Sequence, residues 1–167
     1  SSDAADILLQ AREREPQNAV VCHDLARVRA GEARYWLEQA LAADPCHTGA
    51  LLALAEWKRK AECFDEAAQL YGAAQAQSPL SARCLWRRGE ALALSRNGEE
   101  GREYLLQVAQ NGGSAHQVRA ALTVAFSHVL EWDYDCALES CGQVEGLLGQ
   151  LSAPGSLELR IVHTLRG

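Results

Sequence analysis

Pro45 and Pro79 stand 34 residues apart, and Gly113 lies another 34 beyond Pro79. A fixed period of that length means one supersecondary unit in tandem, each copy burying its apolar face against its neighbour. Twelve, eight and five residues before these punctuation points come Ala33, Leu37 and Ala40; then Ala67, Tyr71 and Ala74; then Gly101, Leu105 and Val108. The same small, bulky, small order precedes Pro16 as Ala4, Leu8 and Ala11, and recurs before Gly149 as Ala137, Cys141 and Val144. Steps of four and three place each trio on one face of a helix.

A second helix type follows each punctuation residue. Nine positions on stand Leu25, Leu54, Arg88 and Leu122, each followed by a small residue: Ala26, Ala55, Gly89 and Thr123. A small residue at a fixed point lets two helices approach closely, while bulky neighbours fill the space around it. Turn signals separate the two helix types at Arg29–Glu32, Ala61–Ala67, Ser95–Glu100 and Glu131–Asp135, where Asp65, Asn97 and Asp133 are suited to caps or turns. Proline cannot continue a helix interior, so the prolines mark where one hairpin passes to the next. With few aromatics and abundant Ala and Leu, the chain is expected to be all-α.

This pattern resembles the tetratricopeptide repeat family, most closely over Thr48–Pro79, where Leu51, Leu54, Ala55, Ala67, Tyr71, Ala74 and Pro79 carry the motif. The resemblance implies a right-handed superhelical solenoid of stacked antiparallel helical hairpins. It covers 1–167 as one domain, with a half repeat at 3–15, repeats at 18–45, 48–79, 82–113 and 116–150, and a terminal helix at 156–166. The repeats are degenerate: the unit ending at Pro45 spans 29 residues, the one ending at Gly149 is two longer than 34, and Gly113 replaces proline. The chain is expected to be a fragment of a longer one, because Leu157, Ile161 and Leu165 form an apolar stripe that nothing later covers. That stripe is also a candidate for self-association.

No phosphate loop, GxSxG or HExxH motif is present. Neither an enzymatic activity nor a cofactor is expected. No metal site is expected either, because Cys22-His23, Cys46-His47 and the pair Cys136 and Cys141 lack the usual zinc spacing. Asp133 and Asp135 read as solvated turn residues. Sixteen Lys and Arg against 22 Asp and Glu leave a charge of −6, unlike a nucleic-acid binder. No apolar stretch approaches the length of a membrane span. Six cysteines without a CxxC pair read as free thiols of a reducing, cytoplasmic setting.

In the resembled family the first helices line a concave face that receives a peptide or helix. Helical spacing puts four, seven, eleven and fourteen residues after each punctuation point on that face: Val20, His23, Arg27 and Ala30; Gly49, Leu52, Glu56 and Arg59; Arg83, Trp86, Glu90 and Ala93; Gln117, Ala120, Val124 and Ser127. The candidate partner-binding residues are His23, Arg27, Glu56, Arg59, Arg83, Trp86, Arg87, Glu90 and Gln117. Trp86 and its flanking arginines lead, since Trp and Arg are enriched at hot spots. Some relatives clamp the C-terminal carboxylate of chaperone tails. Only Arg83 and Arg87 match that clamp, with His23, Arg27 and Ala53 departing from it, so an acidic peptide end is expected there rather than the full clamp. Trp36 and Trp57 are read as packing residues. The leading function is a noncatalytic protein-interaction module, and the alternative is an accessory domain of a larger enzyme such as a glycosyl- or sulfotransferase.

Overall fold

Each punctuation proline falls in a short turn between helices, and the residue just before the next helix supplies the cap. Asn18 Oδ1 accepts from Val20 N and Val21 N at 3.0 and 3.2 Å. His47 Nδ1 accepts from Ala50 N at 3.0 Å, and Ser81 Oγ from Cys84 N at 3.4 Å. Each cap satisfies amide donors that the first helical turn leaves free. The computed structural model describes residues 2–79, 81–95, 97–111 and 114–150. The predicted terminal helix, with Leu157, Ile161 and Leu165, lies outside the described residues.

The chain divides into two units, Ser1–Pro79 and Leu80–Gly167. The first holds α1 (Ser2–Arg14), α2 (Ala19–Val28), a single 3-10 turn (Ala30–Glu32), α3 (Ala33–Ala43), α4 (Thr48–Lys60) and α5 (Phe64–Gln77). The second holds α6 (Ala82–Leu94), α7 (Gly98–Asn111), α8 (Ser114–Leu130) and α9 (Tyr134–Gln150). Helices pair as α2 with α3, α4 with α5, α6 with α7 and α8 with α9, and every described element is helical. No described helix is long and apolar enough to cross a membrane.

Most predicted core positions are filled as the repeat pattern requires; the copy on α1 departs from it, with Ala4 exposed and Leu8 and Ala11 half-buried. Leu37, Ala40, Ala67, Tyr71, Ala74, Leu105, Val108, Ala137, Cys141 and Val144 are all buried, as are Leu25, Ala26, Leu54 and Ala55 opposite them. The six cysteines are free thiols, three of them buried. The 29-residue hairpin is short in a balanced way. At 10 and 11 residues, α2 and α3 are each three shorter than α4 and α5 at 13 and 14.

Two turns inside hairpins share an unusual device. Glu62 and Trp132 adopt φ of 59° and 62°, the left-handed region normally given to glycine. Cys63 N donates to Lys58 O, and Asp133 N to His128 O, each at 3.0 Å. These are the six-to-one bonds of a Schellman ending. Because a side chain in this conformation costs roughly 1–2 kcal/mol, Glu62→Gly is expected to stabilise the protein by about 0.5–1 kcal/mol, after the greater chain entropy of unfolded glycine is deducted. A urea titration checks this, and a midpoint lower than wild type would refute it.

Candidate partner-binding surface

In the first unit the inner faces of α2 and α4 meet at His23. Its ring lies 5.2 Å from that of His47, and Gly49 leaves the room: a Cβ there would stand 3.3 Å from the His23 ring. Partial burial, then the neighbouring His47, push the His23 pKa down, so the imidazole favours its neutral form. Arg27 is open, its side chain 73% exposed with a 3.5 Å contact to Asp24. Glu56 and Arg59 are half-buried and pair with each other at 3.1 Å. Of the four residues proposed here from sequence, Arg27 is thus the exposed one, and His23 packs against the next first helix.

The second unit corrects the leading candidate. Trp86 is 7% exposed and packs with Leu105 and Val108 of α7 and with Ala120 and Val124 of α8. Arg87 lies over its ring at 4.2 Å, Arg119 at 5.5 Å, and His116 meets it edge-on at 6.0 Å. The residue seven after the punctuation point turns toward the following first helix, as His23 does toward α4, and is covered by it. Trp86 is therefore core, with cations on its rim. Arg87 bonds Glu90 at 2.6 Å, both largely buried, while Arg83 stays exposed.

A second correction concerns α8. Ala120, Val124 and Ser127, expected on the inner face, are buried at 0, 4 and 1% exposure, alongside Ala121 and Ala125. Counting from Gly113 fails by two because the extra residues of this long unit precede the contact register of α8. In the shifted register Arg119 is exposed and Phe126 is 43% exposed, while Leu122 packs against the cluster of Val118, Ala121 and Cys141 and Val129 is half-buried. Gln117, half-buried, belongs to the mis-set register. Val118, Ala121 and Ala125 all being apolar was the signal that could have shown it. Trp57 also differs from expectation: it is 36% exposed, with Arg34 and Lys58 near its ring at 5.3 and 5.8 Å. Trp36 is buried and donates to Glu32 at 3.1 Å.

A cleft of about 550 Å³ opens between α1 and α2, lined by Ala4, Ile7, Leu8, Asp24, Arg27 and Val28. Leu8 matches Leu37 and Tyr71 in the repeat, which lie buried beneath α2 and α4. The sequence pattern marked Leu8 as core and so concealed this opening.

No protein-family model matches the chain, nor does any curated protein. Solved structures do. MamA 41-end from Desulfovibrio magneticus RS-1 superposes with a TM-score of 0.77 at 18% identity, covering 91% of this chain and 88% of the other. Pseudomonas aeruginosa PilF gives 0.68 at 22% identity over 98% of this chain and 74% of the other. YrrB, described as a TPR protein with an unusual peptide-binding site, gives 0.68 at 14% identity over 97% and 93%. The fold is that of tetratricopeptide-repeat proteins. Identities this low speak for the fold and leave the binding chemistry to the residues themselves.

Proposed function

We propose that the chain is a noncatalytic protein-interaction module whose first-helix faces bind a peptide or helix of another protein. The observation that carries this reading is the pair Arg119 and Phe126, which stand exposed two helical turns apart on one face of α8. An exposed aromatic beside a guanidinium is the composition of an interface anchor. With Arg83 also exposed on α6, the partner segment is one carrying an apolar side chain and acidic groups. The likeness to YrrB, itself described by its peptide-binding site, supports the same reading. Arg87 contributes less, since Glu90 already balances it.

The test compares capture of partners by the wild type and by the Phe126→Ala/Arg119→Glu double variant. Both residues are exposed, but Arg119 also lies 5.5 Å from the Trp86 ring, so the Phe126→Ala single variant is run beside the double one, and its helical circular dichroism and melting temperature should hold. Loss of a partner from the variant supports the proposal. A partner retained undiminished places binding elsewhere, and Ile7→Asp in the α1–α2 cleft is then the informative variant.

A further inference from the structure

We propose that His128, Asp133 and Cys136 form a binding site for Zn2+ across the turn between α8 and α9. One ligand atom from each lies within 4.8 Å of the other two, giving a nitrogen, an oxygen and a sulfur donor. Zinc takes all three donor types, with bonds of about 2.0–2.3 Å. The spacing H-x4-D-x2-C matches no common zinc signature, because backbone geometry rather than a short loop brings the residues together.

That geometry is specific. The left-handed Trp132 folds the chain so that Asp133 N bonds back to His128 O at 3.0 Å. Asp133 Oδ1 then caps α9 by accepting from Cys136 N at 3.2 Å, and the same carboxylate accepts from the Cys136 thiol, so the two donor groups already face each other and a metal would take the place of the thiol proton. Oδ2 lies 3.7 Å from His128 Nδ1, and that nitrogen is buried with no hydrogen-bond partner among the described residues. A separation of 3.7 Å is too long for a hydrogen bond. It is close to the roughly 3.5 Å between two ligands on one tetrahedral ion with such bond lengths. A buried ring nitrogen facing a carboxylate it does not bond leaves a place that a cation can occupy.

The matching turn of the first unit shows what the position holds there. Lys58, Cys63 and Glu66 occupy the equivalents of His128, Asp133 and Cys136, and Lys58 Nζ meets Glu66 Oε2 at 2.5 Å. The hairpin thus has a place for one cation beside one anion, filled in the first unit by an ammonium. In the second unit the built-in cation is replaced by imidazole while carboxylate and thiol converge on the same spot. Arg102, a fixed cation whose charge also reaches Asp133, is engaged by Glu131 at 2.7 Å. Zinc binding would release the thiol proton, since the thiolate is the ligand. A fourth coordination position is left to water or to a donor from outside.

Cobalt(II) serves as a spectroscopic stand-in for zinc. Titrated into the reduced, metal-free chain, it should produce a thiolate-to-cobalt charge-transfer band saturating at one equivalent and bleached by Zn2+. The band should vanish in Cys136→Ser, weaken in His128→Ala and persist in Cys46→Ser, with Zn2+ affinity falling at least about tenfold in the first two. Zn2+ should also protect Cys136 of the wild type from alkylation, read by mass spectrometry without any variant. No band in the wild type, a band that survives Cys136→Ser, or unchanged alkylation of Cys136 under Zn2+ would each overturn the site.

Discussion

Trp86→Ala is expected to cost about 3–5 kcal/mol, the range for deleting a large buried aromatic, and to unfold the second unit before the first. The indole belongs to one buried cluster with Leu105 and Val108 of α7 and Ala120 and Val124 of α8. Removing it leaves a cavity that three helices cannot close together. Trp86→Phe is the informative partner. The indole Nε1 is buried with no hydrogen-bond partner among the described residues, so phenylalanine discards a costly orphan donor while keeping most of the volume. Its penalty should be about 1 kcal/mol or less. Urea unfolding followed by circular dichroism separates the two, and an alanine variant within 1 kcal/mol of wild type would remove Trp86 from the core. A binding experiment built on Trp86→Ala would read unfolding as lost affinity, which is why the exposed Phe126 and Arg119 are the better probes.

Gly101→Ala should be nearly as damaging, although alanine is the better helix former by about 1 kcal/mol. A Cβ at Gly101 would run into the backbone nitrogen of Ala93 and lie 2.8 Å from both Ala93 Cα and Gly89 O. Those are backbone atoms, so relief requires α6 and α7 to move apart. The expected loss is about 3 kcal/mol, at the upper end of ordinary overpacking. Gly142 and Gly146 provide the opposite sign on α9. A Cβ at either meets nothing within 4 Å, and alanine there should stabilise by up to about 1 kcal/mol each. Thermal melts of the three single variants decide the matter. A neutral Gly101→Ala would mean that the α6–α7 approach is looser than described.

The hairpins were legible in the sequence because their core contacts repeat. The trio ending each second helix recurs at one spacing whatever the side chain, so Cys141 could be placed beside Leu105 and Tyr71 before any coordinates. The inner face was less legible, since periodicity tells which residues share a side of one helix but not which neighbour covers that side. Trp86 satisfied the spacing for a contact residue and was buried by α8. The register of α8 escaped for a different reason: Gly113 is a weaker boundary than proline, and counting from it carried the two extra residues into the helix. The His128, Asp133 and Cys136 cluster was invisible because it depends on a tryptophan adopting a glycine conformation, which no residue pattern announces.

The balanced shortening of α2 and α3 has a consequence for how such chains change length. Antiparallel partners joined by a tight turn lose residues beside that turn together. A cut in one alone would strand the far end of the other in water or tear the turn from its seat. Three residues removed from each take about 4.5 Å, close to one turn, off the free end of the hairpin. The small and bulky residues that mark the repeat, Leu25, Ala26, Leu37 and Ala40, keep their burial. A matched deletion beside the turn is thus accepted, while the two extra residues of the last hairpin enter at the opposite end, ahead of the contact register of α8.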